Sequence, residues 1–233
     1  MKTLIHYDTD KFTVSLANYL ESSILANTSN ILYKLHFMHN FDVCFFTVND
    51  DISREINNFI LEFQSKKKIF LYYTNPSAQD YSAVFKYVTH ISRNGIKLSG
   101  KHIELPKYFF NEKLFTKNST EQRIEKYCVF LGMSKSIPEK LQSILYPNTK
   151  IPINMFESPY IKHYQNMGMI SEIEKAKILQ TYKYFINVDS SYAHEAQICG
   201  CQLVDITKDN TLQNNNIETK ATSIKTIIKD MGL

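Results

Sequence analysis

A single stretch in the second half of the chain narrows the fold to a few classes. Residues 184–188 form a β-branched and aromatic run, and residues 189–191 are of types that cap helix N-termini. Residues 193–199 carry small apolar side chains on one side, and Gly200 supplies a helix stop before a hydrophobic run at 202–206. The stretch predicts strand, turn, short helix and strand, which is the repeating unit of a parallel α/β sheet.

The same alternation extends over most of the chain. Hydrophobic runs typical of strands occur at residues 2–6, 42–48, 69–73, 103–110, 127–131 and 150–156. Segments with helical periodicity or capping signals lie at residues 12–35, 51–64, 82–93, 138–145 and 171–182. In the first of them an interruption is expected at residues 27–30, with a second helical piece at residues 31–36. The last of these segments opens with the capping box Ser171-x-x-Glu174. We therefore predict an α/β protein with doubly wound parallel sheets.

A polar break near the middle of the sequence separates two such halves. Residues 116–120 are polar and lack apolar anchors, as is typical of a domain boundary. We expect one Rossmann-like domain at residues 1–116 and a second at residues 120–210. An amphipathic helix is expected within residues 217–233, where isoleucines recur at helical spacing.

Charge and cysteine content exclude few classes of protein. The net charge of +4 and the pI near 8.7 permit an anionic ligand, nucleic acid or a membrane surface as partner without choosing one. Cys199 and Cys201 lack a second Cys or His pair at zinc-finger spacing, so buried free thiols in a reducing compartment are predicted. Residues 1–6 turn polar too early for a signal peptide, and no apolar run reaches the ~18 residues that a membrane span needs. We expect a cytoplasmic protein without a transmembrane segment.

Several common nucleotide and hydrolase motifs are missing from the sequence. It has no Gly-x-x-x-x-Gly-Lys-Ser/Thr phosphate loop and no Gly-x-Gly-x-x-Gly fingerprint after a strand. It also lacks the Gly-x-Ser-x-Gly turn of α/β-hydrolases. These absences argue against P-loop NTPases, NAD-dependent enzymes and that hydrolase fold.

The turn before the short helix is the strongest candidate for a ligand site. Helix N-termini attract anions, and the hydroxyls of Ser190 and Ser191 flank this one. Glu195, in the first part of the helix, can accept hydrogen bonds from the hydroxyls of a ribose. Together these groups suit a nucleoside diphosphate. The neighbouring Tyr192 either stacks on a ring or covers the sheet, and His194 is interpreted as a packed or solvent-facing side chain.

The stretch resembles the nucleotide-sugar-binding domain of GT-B glycosyltransferases. There, a strand leads into a Ser/Thr-containing loop, a helix with Glu-Ala, then Cys-Gly or Gly, and a hydrophobic strand. The matching residues here are Ser190, Ser191, Glu195, Ala196, Cys199, Gly200, Leu203 and Val204. Many retaining members carry a second glutamate eight positions before the first, where this chain has Asn187, so the stereochemical class stays open.

The resemblance covers residues 127–206, and in the N-terminal half it extends only to the alternation of strands and helices. It implies two Rossmann-like domains with the active site in the cleft between them, and a C-terminal helix that crosses back onto the first domain. It further implies that the loop after the first strand of the second domain contacts the diphosphate through Gly132, Ser134 and Lys135. Lys135 is otherwise an exposed loop lysine, and the triplet at residues 66–68 is interpreted as a solvated helix end rather than a phosphate patch.

Inverting members of this family take the acceptor proton with an acidic or histidine side chain of the N-terminal domain. Asp8 and Asp10 follow the first strand and are the candidates, with His6 next. Asp10 has an alternative role as the N-cap of the helix that begins near Phe12. Asp8-Thr9-Asp10 also matches the metal-holding pair of the GT-A fold, but that pair normally follows several strands. No metal site is therefore predicted.

The hypothesis at this stage is a metal-independent glycosyltransferase that uses a nucleoside-diphosphate sugar such as a UDP-sugar and needs no further cofactor. The acceptor is a glycan or a modified DNA base, and the AT-rich residue bias with the short chain suggests a phage or another small genome. The alternative is an α/β module that binds a nucleotide or a partner without catalysis. The sequence identifies neither the sugar nor the acceptor.

Overall fold

A computed structural model describes residues 2–6, 10–20, 23–26, 40–117, 123–130, 161–164, 171–187, 192–206, 212–215, 217 and 221–233. The chain divides into two compact units. The first comprises Met1–Asn111 with Ala221–Leu233, and the second comprises Glu112–Lys220. The mixed α/β class that the alternation predicts is confirmed.

Thirteen strands lie in the described part: β1 Thr3–His6, β2 Ser23–Ala26, β3 Val43–Val48, β4 Lys68–Tyr73, β5 Thr89–Ser92, β6 Ile103–Glu104, β7 Phe109–Phe110, β8 Ile124–Phe130, β9 Ile161–Tyr164, β10 Tyr182–Ile186, β11 Gln202–Ile206, β12 Leu212–Asn215 and β13 Thr222–Ser223. The first six form one sheet, with neighbours in the order β2-β1-β3-β4-β5-β6, and every pair is parallel. The chain adds β2 on one side of β1 and then returns to build the rest on the other side. The sheet is therefore doubly wound, and its order reverses between β1 and β3.

Five helices lie in the described part: α1 Lys11–Tyr19, α2 Arg54–Phe63, α3 Glu172–Thr181, α4 Ala193–Ile198 and α5 Ile224–Asp230. Side chains cap four of them at the N-terminus by accepting an amide hydrogen, namely Asp10, Ser53, Ser171 and Ser223. The predicted capping box of Ser171 and Glu174 is confirmed, with both reciprocal bonds present. Among the described helices, none has the length and apolar character that crossing a bilayer requires.

The first sheet is buried on both faces because alternate residues of its strands point to opposite layers. On one face, Cys44 and Phe46 of β3 share a cluster with Ile56 and Phe59 of α2. On the other face, Phe45 shares a cluster with residues of α1 and α5, namely Phe12, Leu16, Ile224, Ile227 and Ile228. The short pair of β7 and β13, also in the first unit, precedes α5 in the chain. The C-terminal helix thus contributes to the core of the first unit.

Two helix predictions in the first unit are wrong. The predicted helix at residues 12–35 ends at Tyr19, and β2 follows because its backbone pairs with β1 along its whole length. The predicted helix at residues 82–93 is a series of turns followed by β5. There, Asp80 accepts hydrogen bonds from the amides of Ser82 and Ser99, and such side chain–backbone bonds compete with helix formation. The predicted helix at residues 138–145 and strand at residues 150–156 lie outside the described residues.

The second sheet has the order β12-β11-β10-β8-β9. All its neighbours are parallel except β11 and β12. Here too the order reverses after the first strand, since β9 and β10 lie on either side of β8. The predicted succession of strand, short helix, glycine and strand is confirmed as β10, α4, Gly200 and β11, and Gly200 adopts a φ of 89° that favours glycine.

Arg123 joins the C-terminal ends of α3 and α4, the two helices described in the second unit. Its guanidinium donates to the carbonyl oxygens of Leu179 at 3.3 Å and Tyr182 at 2.9 Å, and also to that of Cys199. These are carbonyls at the C-terminal ends of α3 and α4, which lack partners within their own helices. A Cβ at Gly200 would lie 3.3 Å from Nη2 of Arg123, so the glycine also leaves room for this side chain.

All four cysteines are free and buried, as predicted. Burial raises the pKa of the Cys44 thiol to about 12, and burial followed by the neighbouring Cys201 does the same for Cys199. These thiols are therefore protonated and unreactive at neutral pH.

Candidate functional site

Open α/β sheets bind ligands at the carboxyl edge, where the strand order reverses. In the second unit this point lies between the carboxyl ends of β8 and β10, which are Phe130 and Ile186. The ring of Tyr192 packs edge-on against Phe130, with 5.4 Å between the ring centroids. Tyr192 is the residue that precedes α4, so the start of this helix lies at that edge.

A buried lysine lies at the same edge. The ammonium of Lys175 donates to the hydroxyl of Tyr192 at 2.8 Å and lies 5.1 Å from the centroid of its ring. Lys175 is only 8 % exposed. It occupies the first half of α3, which leads into β10 without an intervening loop, so the N-terminal turns of α3 lie beside the carboxyl end of β10. Sequence analysis missed Lys175, although a capped helix running directly into a strand was a signal for its position.

The helices α3 and α4 each carry a buried carboxylate. Glu172 of α3 is 6 % exposed and Glu195 of α4 is 1 % exposed. The helices α3 and α4 contact each other. Ionised groups are costly to bury, and their concentration at a sheet edge is typical of functional sites. His194 is also buried, in agreement with the packed interpretation of this side chain.

Glu195 is buried, whereas the predicted role in holding a ribose requires a carboxylate that the ligand can reach. A ribose can contact this side chain only after the groups that cover it move. Tyr192 begins α4 without a side-chain cap, and α4 is only six residues long. Its N-terminus therefore supplies a weaker dipole than a long helix would.

Asn187 directly follows β10, the strand that leads to this edge. Its amide nitrogen donates to a carboxylate oxygen of Asp205 at 3.0 Å, and its backbone amide donates to the carbonyl of Val204 at 2.8 Å. A carboxylate can only accept, so the amide NH2 group faces Asp205 and the amide oxygen faces away. That oxygen is buried and makes no hydrogen bond within the described residues. Asn187 is thus an oriented amide at the position where retaining members of the resembled family carry a glutamate.

Most of the other predicted ligand residues are not in the described part. Gly132, Ser134, Lys135, Ser190 and Ser191 all lie outside it, as does the candidate base Asp8. The structure therefore brings together the end of β8 with Tyr192 and Lys175. The role of Glu195 and the predicted diphosphate contacts remain predictions.

The candidate bases of the first unit follow β1. A carboxylate oxygen of Asp10 accepts from the amide of Phe12 at 2.8 Å and from the hydroxyl of Tyr72 at 3.1 Å. The capping role of Asp10 is therefore confirmed, while its role as a base is a prediction. Burial first, and then the charge of Asp10, raises the pKa of Tyr72, which keeps this hydroxyl a donor. His6 is buried at the end of β1, and its carbonyl accepts from the hydroxyl of Thr47 at 3.0 Å.

The lysine triplet at residues 66–68 is engaged with the protein backbone. Lys67 donates to the carbonyl of Phe41 at 2.5 Å, and Lys68 donates to the carbonyl of Gly232. The interpretation of the triplet as a solvated helix end is therefore wrong for two of the three lysines, since α2 ends at Phe63, Lys68 begins β4, and both ammonium groups bond to carbonyls of other segments. Among the described residues, no three His, Cys, Asp or Glu side chains gather as metal ligands.

No protein-family model matches the sequence, and a search of the curated proteins gives no significant match. Functional inference therefore depends on the residues and the geometry described above.

Proposed function

We propose that the protein is a glycosyltransferase that moves a sugar from a nucleoside-diphosphate sugar to an acceptor hydroxyl. The observation that carries the proposal is the buried ammonium of Lys175, which donates to the Tyr192 hydroxyl at the start of α4, beside the carboxyl end of β8. Among the described residues, three Lys, Asp or Glu side chains are buried, and all three belong to the second unit: Glu172, Lys175 and Glu195. A buried ammonium beside the start of a helix is suited to a diphosphate, which needs positive charge as it departs from the sugar.

The proposed donor site combines these residues with those that the family resemblance implies. Ser190, Ser191 and the first amides of α4 would contact the diphosphate, and Lys175 would supply positive charge from the side of α3. Lys135, with Gly132 and Ser134, is a second proposed contact from the loop after β8. Because lysine and helix charges neutralise the diphosphate in this scheme, no metal ion is required.

Glu195 would hold the ribose of the donor. Since this carboxylate is buried, binding must displace the side chains that cover it, and part of the binding free energy is used for that movement. The proposal therefore includes local opening around the start of α4 when the nucleotide binds.

The acceptor is proposed to be a glycan hydroxyl or a hydroxylated DNA base. Its proton would be taken by a base of the first unit within hydrogen-bond reach. Asp8 is the first candidate because Asp10 already caps α1, and Asp10 and His6 are the others. A glycan is our preferred acceptor, because glycan acceptors are the more frequent class for such enzymes.

A second candidate function is a nucleotide-binding module without catalysis. Asn187 favours it, because an amide replaces the second glutamate of retaining members and cannot act as a nucleophile. The confirmed capping role of Asp10 favours it too, since it occupies one of the three candidate bases.

The two functions separate in one experiment. The purified chain is incubated with a panel of UDP-, GDP- and other nucleotide sugars, with and without glycan and DNA acceptors, while release of nucleoside diphosphate and the melting temperature are recorded. The transferase releases the diphosphate with at least one donor. A melting shift with UDP or GDP but no turnover under any condition would favour the binding module. Absence of both diphosphate release and a melting shift would contradict both functions.

Glu195→Gln provides the matching test of the donor site. We expect weaker nucleotide binding by about tenfold, since a charged hydrogen-bond partner of the ribose is lost. Glu125→Gln is the control, because Glu125 belongs to β8, near its amino end, and is 69 % exposed in an ion pair with Lys183. Unchanged affinity in the Glu195 variant would show that the ribose is held elsewhere.

A further inference from the structure

The first unit contains a cavity of about 560 Å³ at the edge opposite to the point where its strand order reverses. The cavity is lined by Thr89 and Ile103, the first residues of β5 and β6, and by Gly232, which follows α5. In a parallel sheet all amino ends lie at one edge. This cavity is therefore at the amino edge of the first sheet, and it belongs to neither proposed part of the transferase site. Its volume is in the range that small-molecule sites occupy, ~300–1,000 Å³.

Hydrogen bonds to Asp80 join two loops beside the cavity, the loop between β4 and β5 and the loop between β5 and β6, and hold them in place. Asp80 accepts from the hydroxyl of Ser82 at 2.6 Å and from the hydroxyl of Ser99 at 2.8 Å, in addition to their amides. The amide of Gly100 donates to the Ser82 hydroxyl at 2.7 Å. Although burial acts to raise the pKa of Asp80, the bonds from Ser82 and Ser99 outweigh it and hold the pKa well below its usual range. The carboxylate that joins the two loops is thus charged throughout the neutral pH range.

His90 forms a fixed part of the floor. Its Nε2 lies 3.0 Å from the carbonyl of Phe85, which can only accept, so Nε2 carries the proton. Nδ1 must then accept from the hydroxyl of Tyr73 at 3.0 Å, and this hydroxyl accepts in turn from the amide of Tyr81 at 3.2 Å. Both ring nitrogens of His90 are used in this chain of bonds. His90 therefore shapes the cavity and is not itself a ligand-binding group.

The lining combines apolar side chains with basic ones. Phe85, Val88, Ile103 and Met231 contribute apolar surface. Two exposed lysines and one exposed aspartate also line the cavity; these residues are Lys86, Lys101 and Asp230. An anion gains from the excess of positive charge, and an apolar body gains from leaving water.

We propose that this cavity binds a small organic anion, with an apolar ring or chain against Phe85, Val88 and Met231 and a carboxylate or phosphate toward Lys86 and Lys101. His102 is the third basic group of the lining. Its Nδ1 lies 2.9 Å from the carbonyl of Gly100 and so carries the proton. The site is independent of the proposed glycosyl transfer, and either proposal can fail without the other.

The test uses three probes with the same ring and different charge: phenyl phosphate, benzyl alcohol and benzylamine. Binding to the full chain is followed by nuclear magnetic resonance, through the backbone amides of Thr89, Ile103 and Gly232. We expect saturable shifts with phenyl phosphate, at least threefold weaker binding of benzyl alcohol, and the weakest binding with benzylamine. Replacing Lys86 and Lys101 together by Gln should weaken phenyl phosphate about threefold to tenfold, because exposed ion pairs contribute modestly.

Replacing Lys97 and Lys107 by Gln is the matched control, since both are exposed lysines of the same unit and neither lines the cavity. This variant should bind phenyl phosphate like the unmodified chain. Equal affinity for all three probes would overturn the proposed charge selectivity. Absence of saturable shifts at these three amides would overturn the site itself, and an equal loss in the control variant would show that only net charge matters.

Discussion

The two sheets have the same order around their first strands, yet they place their charged side chains differently. In the first unit, carboxylates at the carboxyl edge are used locally: Asp10 caps α1, and Asp50 and Asp51 accept from Asn75 and Tyr81. In the second unit, Lys175 and Glu195 are buried on α3 and α4. The same reversal of strand order therefore occurs beside locally bonded carboxylates in one sheet and beside a buried lysine in the other. The difference lies in the side chains at the edge, as is general for α/β folds.

The largest expected effect concerns the hydrophobic core of the first unit. Phe45 is 1 % exposed and stacks on Phe70 with 4.4 Å between the ring centroids. We expect Phe45→Ala to lower the free energy of unfolding by about 3–5 kcal/mol, because it removes a large buried ring. Hydrogen exchange should show the loss of protection in β3 and β4. Leu61→Ala is the control, since Leu61 is 57 % exposed on α2, and an equal loss there would contradict the assignment of the core.

The second effect concerns the second unit. Arg123→Met removes the donors from three backbone carbonyls at the ends of α3 and α4. We expect a loss of about 2 kcal/mol, since the Cys199 carbonyl loses a charged donor and the carbonyls of Leu179 and Tyr182 keep only the weak thiol donor of Cys201. Exchange should accelerate in β10 and β11 first. Lys183→Gln, which removes an exposed ion pair with Glu125, should cost less than about 1 kcal/mol. If protection falls equally in the first sheet, the two units do not differ in the way described.

A third prediction concerns the acid sensitivity of the first unit. Burial lowers the pKa of His90 from the usual 6.5. When the pH falls below 6.5, the unfolded chain binds a proton that the folded chain resists, so the folded state loses stability. Urea denaturation at pH 7.5, 6.5 and 5.5 should show this loss, and His90→Gln should reduce the pH dependence while lowering stability at every pH. An unchanged pH dependence in this variant would assign the effect to other groups.

The smallest expected effect separates the two roles of Asp10. Asparagine is also a good N-cap, so Asp10→Asn should retain stability, whereas Asp10→Ala should lose about 1–2 kcal/mol with the cap and the bond from Tyr72. Once a transferase assay exists, we expect Asp10→Asn to keep the rate within about threefold and Asp8→Asn to lose about a hundredfold or more, as for a general base. A loss of that size in Asp10→Asn alone would assign the base to Asp10.

Local patterns in the sequence were enough for much of the fold. The succession from Phe185 through α4 and Gly200 to β11 follows from residue types at short spacing, and so does the capping box of Ser171. The turns before β5 could not be predicted, because they depend on Asp80 reaching Ser99, nineteen residues away. Likewise β2 forms through pairing with β1, which overrides the helical periodicity of its own segment.

The sequence placed a candidate site at the start of α4, a prediction that did not include Lys175. The turn before α4 was identified from Glu195 and the serines that precede it. Lys175 was missed because its place beside Tyr192 depends on how α3 packs, which spacing alone does not show. The burial of Glu195 was missed for the same reason, since exposure is a property of the assembled layers.

The most direct measurement of the central claim is the affinity of UDP and GDP for Lys175→Met, by isothermal titration calorimetry. Lys177→Met is the matched control, since Lys177 is an exposed lysine on the same helix. We predict that Lys175→Met weakens binding of the diphosphates by about tenfold to a hundredfold while uridine and guanosine are affected little, because hydrogen bonds to charged groups contribute about 1.5–3 kcal/mol. Lys177→Met should bind as the unmodified chain does. Equal diphosphate affinity in all three proteins would contradict a diphosphate site at the carboxyl edge of the second sheet.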